Sequence, residues 1–141
     1  MNQTPAKQKA PPCDHATRLI DQHYQVHNNQ LHISENPVSQ LIETYGSPLF
    51  VYDANVVQKT ITSVKDILPS NFDLYYSIKA NPNASLLNLM LENGLGLEVA
   101  SGGELFQALH AGCAAKRIIF AGPGKTEKEL HAAVTAGIGE L

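Results

Sequence analysis

One lysine of the sequence stands where an enzyme could use an amine for covalent chemistry. Lys79 follows the apolar run FDLYYSI, and the segment KANPN that it opens leads into a helical pattern. At the tip of a strand that faces a pocket, a lysine amine can attack a carbonyl carbon as a nucleophile. A solvated lysine at an ordinary strand-loop junction would give the same pattern, so the residues alone leave both interpretations open.

A carboxylate on the next predicted strand is a candidate partner for this amine. Alternation along residues 72–79 places Ser77 and Lys79 on the polar face of the first strand. The same alternation along residues 95–100 turns Glu98 inward. If the two strands are parallel neighbours, Glu98 could orient the amine or a ligand, and a structural ion pair lining the interior is the alternative.

A second motif, GPGKT at 122–126, resembles the end of a phosphate-binding loop because it follows a predicted strand and precedes a helix. The complete pattern requires a glycine five residues before Gly124, and the chain has Ile119 there. The loop is therefore too short to wrap a triphosphate. A tight turn with Lys125 near the helix start is the favoured interpretation.

The elements that must position these residues form a repeating series of strand and helix. Apolar runs predict strands at 72–78, 95–100 and 117–121, followed by helices at 84–92, from 101 and from 126. Strands that alternate with helices in this way predict a parallel sheet with right-handed crossovers. The fold class is therefore α/β, either an open doubly wound sheet or a (β/α)8 TIM barrel.

The helix ends carry their own signals. Ser101 with Glu104, and Thr126 with Glu129, have the spacing of capping boxes, in which hydroxyl and carboxylate satisfy backbone N–H groups. Glycines follow as stops. In the last helix, an apolar stripe is predicted to be buried; it consists of Leu130, Ala133 and Val134.

The chain before these units divides into two parts. Residues 1–16 are polar and rich in proline, which predicts a disordered tail. Residues 17–48 predict an N-terminal extension with a hairpin turning at Asn28-Asn29 and a helix over 37–45. The partial barrel then occupies residues 49–141, beginning with a strand at 49–52 and a helix capped by Asp53.

Composition narrows the class of ligand. The formal net charge is −3 and no basic stripe occurs, so the sequence does not favour a nucleic acid or a membrane surface as partner. No signal peptide is evident and no apolar run approaches the roughly 20 residues of a membrane span, so we expect a cytoplasmic protein. The cysteines and histidines lack ligand spacing, and no metal site is expected. A small molecule is the expected ligand.

Three strand-helix units cannot close a barrel, which takes about 250 residues. The last residues, Gly139 to Leu141, lie where a fourth strand should begin. We therefore expect this chain to be the N-terminal part of a longer protein.

Three segments identify a family by resemblance. YYSIKANPN, GLEVASGGEL and IIFAGPGKTEKEL, in this order and spacing, resemble the fold-type III pyridoxal-phosphate decarboxylases, which include diaminopimelate, ornithine and arginine decarboxylases. Diaminopimelate decarboxylase is the nearest well-known member. Alanine racemases share the barrel type, but their lysine is followed by a different run, resembling K-A-N-A-Y-G. The resemblance implies the first part of an alanine-racemase-like (β/α)8 barrel.

The resemblance also implies a cofactor and roles for two residues. Lys79 would form the internal aldimine with pyridoxal 5'-phosphate, and Glu98 stands where the family usually has an aspartate close to the cofactor. The reaction implied is decarboxylation of a small-molecule amino acid, as in lysine biosynthesis. The full-length form would be a homodimer.

In the family, the glycine-rich phosphate site, the carboxylate for the pyridine nitrogen and the substrate-binding β domain all come later than position 141. We therefore expect the 141-residue chain alone to have no useful decarboxylase activity. Two alternatives stay open at this point. The chain could be a non-catalytic pseudoenzyme of the same fold, or the product of a gene remnant.

Overall fold

The structure, a computed structural model, describes residues 14–141. Two compact units divide between Lys59 and Thr60, and each is described by itself. Most of the predicted tail, residues 1–13, lies outside the described part. Residues 15 and 16, also assigned to the tail, are instead helical, because Asp14 caps the first helix by accepting a hydrogen bond of 2.8 Å from the backbone N–H of Thr17.

The first unit contains two helices and a small antiparallel sheet. Its elements are α1 (His15–His23), β1 (Gln25–His27), β2 (Gln30–Ile33), β3 (Asn36–Pro37) and α2 (Val38–Tyr45). The strands lie in the order β1-β2-β3. The predicted hairpin is confirmed: Asn28 and Asn29 have φ values of 50° and 60°, which suit the two-residue turn that joins twisted antiparallel strands. The predicted helix is confirmed as α2.

The strand predicted at 49–52 is wrong. Residues 49–52 have no regular structure, and all four side chains are exposed. An apolar run becomes a strand only when a neighbouring strand supplies hydrogen-bond partners, and no described strand pairs with these residues. The helix that follows is confirmed as α3 (Ala54–Ile67), which spans the division between the units. Asp53 caps it, accepting a hydrogen bond of 2.8 Å from the N–H of Asn55.

The second unit continues from α3 into the three predicted strand-helix pairs. Its elements are β4 (Tyr75–Ser77), α4 (Ala84–Glu92), β5 (Gly96–Val99), α5 (Gly102–His110), β6 (Ile118–Phe120) and α6 (Glu127–Ala136). α4 begins at the predicted residue, and α5 and α6 begin one residue later than predicted, because Ser101 and Thr126 are their caps. The strands are shorter than predicted, because the regular ladder covers only the residues that pair in register.

The sheet topology decides between the two α/β architectures. The strands are parallel in the order β4-β5-β6, and Glu140 forms a parallel bridge with Ile119 on the outer edge of β6. Each successive strand therefore joins the same edge, and right-handed crossovers then place every helix on the same face of the sheet. A doubly wound sheet reverses its strand order, so this is the winding of a barrel. The expected fourth strand begins where it was predicted.

One face of the sheet carries the core. Leu97, Ile118 and Val99 are each 0% exposed, as is Ile78 directly after β4. The opposite face is less covered and carries Tyr75, Ser77, Glu98 and Ile119, all half-buried, together with Gly96. A barrel with covering helices outside and partly polar side chains inside has this arrangement.

The helix caps follow the sequence with one difference. The capping box of Thr126 and Glu129 is complete. At α5, the Ser101 hydroxyl accepts the expected hydrogen bond from the N–H of Glu104. The Glu104 carboxylate, however, accepts from the N–H of Ala100 at 2.7 Å rather than from that of Ser101.

The buried stripe predicted for α6 is wrong for two of its three members. Ala133 is fully buried, but Leu130 and Val134 are 40% and 65% exposed. These two lie one turn apart and share the outer face of the helix. Of the three predicted residues, only Ala133 lies on the face of α6 that packs against the rest of the unit.

Candidate active site

Lys79 lies at the carboxyl end of the parallel sheet, in a tight 3-10 turn, Ile78–Ala80, that directly follows β4. The sequence placed it at the tip of a longer strand, and that detail is wrong because β4 ends at Ser77. Asn81 precedes a proline and is extended, so the 3-10 turn ends at Ala80. The Asn81 carbonyl accepts a hydrogen bond of 3.2 Å from the Tyr76 hydroxyl.

The side chain of Lys79 lines an open cleft. The opposite wall of the cleft is the first turn of α5, with Ser101, Gly103 and Glu104. Lys79 is exposed, and within residues 14–141 its amine makes no hydrogen bond or ion pair. The carboxyl ends of the strands are where barrel enzymes place their reacting groups. The amine is thus accessible to a carbonyl compound.

Glu98 lies on the sheet face opposite the covering helices. It pairs in register with Ser77 on the adjacent strand, and the Ser77 hydroxyl donates a hydrogen bond to its carboxylate. Within the described chain no ion pair joins Glu98 to Lys79. The inward orientation predicted for Glu98 is confirmed, but a serine holds its carboxylate, where the sequence suggested a lysine partner.

Sequence reasoning missed a second role of Glu129. Beyond completing the capping box of α6, its carboxylate accepts a hydrogen bond of 2.7 Å from the N–H of Gly102, the first residue of α5. The one available signal was indirect: parallel strands bring successive helix N-termini to the same end of the sheet. Which carboxylate would reach which N-terminus could not be read from spacing.

The GPGKT segment forms the short turn that was favoured over a phosphate loop. Gly122 has φ 88°, a conformation that glycine adopts readily. The Lys125 amine donates to the Gly122 carbonyl at 2.8 Å and lies 5.2 Å from the centre of the Phe120 ring. The cation that would hold a phosphate is thereby engaged within its own turn.

The described residues, 14–141, offer neither a metal site nor a membrane-spanning helix. No group of three or more His, Cys, Asp or Glu side chains there could hold a metal ion. No helix in that range has the length and apolar character of a membrane span. Cys113 is buried, and this burial raises the pKa of its thiol.

Comparison with known proteins places these observations in a family. Residues 54–141 match the family model described as pyridoxal-dependent decarboxylase, pyridoxal binding domain. The chain is 39% identical over 111 residues to the diaminopimelate decarboxylase of Aquifex aeolicus, which covers 79% of this chain and 26% of that protein. It is 37% identical over 108 residues to the L-glutamyl-[BtrI acyl-carrier protein] decarboxylase of Niallia circulans, covering 77% of this chain and 25% of that protein.

A solved structure gives the same result for the fold. The crystal structure of diaminopimelate decarboxylase from M. jannaschii in complex with L-lysine superimposes with a TM-score of 0.73 at 26% identity, covering 84% of this chain and 29% of that chain. The chain thus spans roughly a quarter of the length of the proteins it matches. The prediction of a partial (β/α)8 barrel is confirmed.

Proposed function

The chain belongs to the pyridoxal-dependent decarboxylases, and on this premise we propose that it supplies the cofactor-binding lysine, Lys79, of an enzyme that decarboxylates an amino acid. The cofactor of the family is pyridoxal 5'-phosphate. The observation that carries the proposal is the position of Lys79, whose exposed amine lies in an open cleft at the carboxyl end of the sheet.

The residues of the cleft fit an aldehyde cofactor. A reactive lysine must present its amine without a competing partner, and within residues 14–141 none engages Lys79. Its backbone is held in place by the neighbouring Ile78, which is 0% exposed. The Tyr76–Asn81 hydrogen bond closes the turn around it. A buried anchor and a closed turn limit the motion of the backbone from which the Lys79 side chain extends.

Pyridoxal phosphate, when bound, supplies an electron sink for the electron pair left when an amino acid loses carbon dioxide. Lys79 would hold the cofactor at its aldehyde carbon. When its amine is not bonded to the cofactor, Lys79 would be able to carry a proton at Nζ.

Glu98 is proposed as a carboxylate on the cofactor side of the sheet. The hydroxyl of Ser77 fixes the direction of its carboxylate through a charge-assisted hydrogen bond. A carboxylate held in one orientation can orient a cationic group of a ligand with little loss of side-chain entropy. The Glu98 side chain is longer than that of an aspartate, and the hydrogen bond from Ser77 restrains it.

The substrate is proposed to be an amino acid, with diaminopimelate as the first candidate. Support comes from the names of the relatives, among which diaminopimelate decarboxylases predominate. A carrier-bound amino acid is a second candidate, favoured by the similarity to the L-glutamyl-carrier-protein decarboxylase. The homodimer implied by the resemblance belongs to the same proposal.

Reductive trapping tests the role of Lys79 without requiring turnover. The chain is incubated with pyridoxal phosphate, reduced with borohydride and digested, and the modified peptide is located by mass spectrometry. We expect the label at Lys79, its loss in Lys79→Ala, and its retention in Lys128→Ala, a control lysine in the first turn of α6. Labelling spread evenly over the surface lysines would contradict the proposal.

A further inference from the structure

One carboxylate joins the first turns of two neighbouring helices. Oε1 of Glu129 accepts a hydrogen bond of 2.7 Å from the N–H of Gly102, where α5 begins. Oε2 accepts two hydrogen bonds of 2.8 Å, from the N–H and from the hydroxyl of Thr126, where α6 is capped. The two oxygens are therefore divided between two helices, whereas a capping box alone needs only one of them.

The space around Gly102 is shaped to this contact. A Cβ atom at position 102 would lie 3.0 Å from Cγ of Glu129 and 3.3 Å from its Oε1. A methyl group at position 102 would therefore press on the Glu129 side chain, which approaches the backbone closely here. The hydrogen bonds from Thr126 and then Gly102 also hold the pKa of Glu129 below its usual value, so the accepting group stays ionised.

The helix turn held in this way is a wall of the Lys79 cleft. Ser101, Gly103 and Glu104 line the cleft on either side of Gly102 along the chain. Displacement of this turn would change the width of the cleft without altering Lys79 or its strand. The contact therefore acts on the site through the position of α5.

We propose that Glu129 is a positioning residue, which fixes the first turn of α5 against α6 and thereby sets the wall of the cleft that Lys79 faces. The proposal rests on the proposed function, since it concerns access of an aldehyde cofactor to Lys79. Glu129 itself does not line the cleft.

Glutamine at position 129 separates the two roles. Its side chain has a single acceptor oxygen, so Glu129→Gln can keep the cap of α6 or the link to α5, but not both. Glu127→Gln is the matched control, because it removes the same charge from the first turn of the same helix without touching Gly102. Gly102→Ala perturbs the same contact from the other side, since the added methyl group would displace the Glu129 side chain by a few tenths of an ångström.

The measurements are the cofactor concentration dependence of reductive labelling at Lys79, the hydrogen exchange of the Gly102 amide, and the urea midpoint of each variant. We expect apparent cofactor affinity to fall in Glu129→Gln by at most roughly tenfold, because one charge-assisted hydrogen bond that holds the wall is lost and that bond does not itself contact the cofactor. Gly102→Ala should weaken it less. The Gly102 amide should exchange faster in Glu129→Gln. Glu127→Gln should match the unsubstituted chain in both respects.

The outcomes separate this proposal from the function on which it rests. If the unsubstituted chain is not labelled at Lys79, the proposed function fails and the positioning role fails with it. If labelling is normal but Glu129→Gln and Glu127→Gln bind the cofactor equally, only the positioning role is overturned. It is also overturned if the loss of labelling merely follows the fraction of unfolded chain calculated from the urea midpoints.

Discussion

Gly96 is expected to be intolerant of even one methyl group, because its site on β5 is already filled. A Cβ atom there would lie 2.3 Å from Cε1 and 2.4 Å from Cδ1 of the Tyr75 ring, and 2.8 Å from the carbonyl oxygen of Arg117. All three distances are shorter than contacts that real side chains make. The Tyr75 ring thus occupies the space that a side chain at position 96 would need.

The cost of Gly96→Ala can be divided between these two neighbours. The ring is half-buried and can turn aside, at about 0.5–1.5 kcal/mol for a strained rotamer. The Arg117 carbonyl belongs to the backbone that leads into β6, so it can move only if the strands shift. Together we expect about 1–3 kcal/mol of destabilisation, the range typical of overpacking.

Urea unfolding of the whole chain measures this cost. With a slope of about 2 kcal/mol/M, the midpoint should fall by on the order of 1 M in Gly96→Ala. Gly124→Ala is the control, because nothing lies within 4 Å of its added Cβ. Adding Tyr75→Ala to Gly96→Ala should recover only the part due to the ring, which a double-mutant cycle isolates. An unchanged midpoint in Gly96→Ala would refute the steric argument.

Two further predictions concern polar groups of the second unit. Ser77→Ala removes the hydroxyl that donates to Glu98 and should lower the free energy of unfolding, measured in urea, by about 1–3 kcal/mol. Ser77→Thr keeps the donor and is the control. Equal urea midpoints for Ser77→Ala and the unsubstituted chain would rule out this bond. Burial raises the pKa of Cys113, so the folded chain keeps a thiol proton that the unfolded chain loses above a pKa of about 8.5. Stability should therefore be unaffected by this group below that pH and fall as pH rises through the raised folded pKa. Cys113→Ala should lack this part of the decline, as measured by midpoints from neutral to alkaline pH, and an identical decline would exclude the thiol as its cause.

The starts of α3, α4 and α6 were predictable from the sequence because caps are local, whereas the start of α1 at His15 was missed. Asp53, Asn83 and Thr126 each accept hydrogen bonds from N–H groups two or three residues along the chain, so a short window contains both partners. Strand lengths were not predictable in this way, because they depend on neighbours far away in sequence. Residues 49–52 have the composition of a strand, but no described strand pairs with them.

In the architecture and in the site, too, local features were predictable from the sequence, and features that depend on residues far apart in the chain were not. The alternation of strands and helices indicated an α/β fold, but the choice of a barrel needed the bridge between Ile119 and Glu140, which shows the edge that the next strand joins. Lys79 was singled out as a candidate by the motif around it, which is a local signal. The contact of Ser77 with Glu98 depends on the register of two parallel strands, and that of Glu129 with Gly102 on two helix termini in space.

Two kinds of contact therefore fix the two walls of the Lys79 cleft, and their loss should affect stability and cofactor labelling differently. The strand behind Lys79 is set by sheet register and core packing, so Gly96→Ala should lower stability and cofactor labelling together. The opposite wall depends on one half-buried hydrogen bond between two helix termini, and this bond involves none of the core side chains of the sheet. Glu129→Gln should then weaken labelling while leaving the urea midpoint close to that of Glu127→Gln. If both variants instead lost labelling only in proportion to lost stability, the two walls would form one cooperative unit.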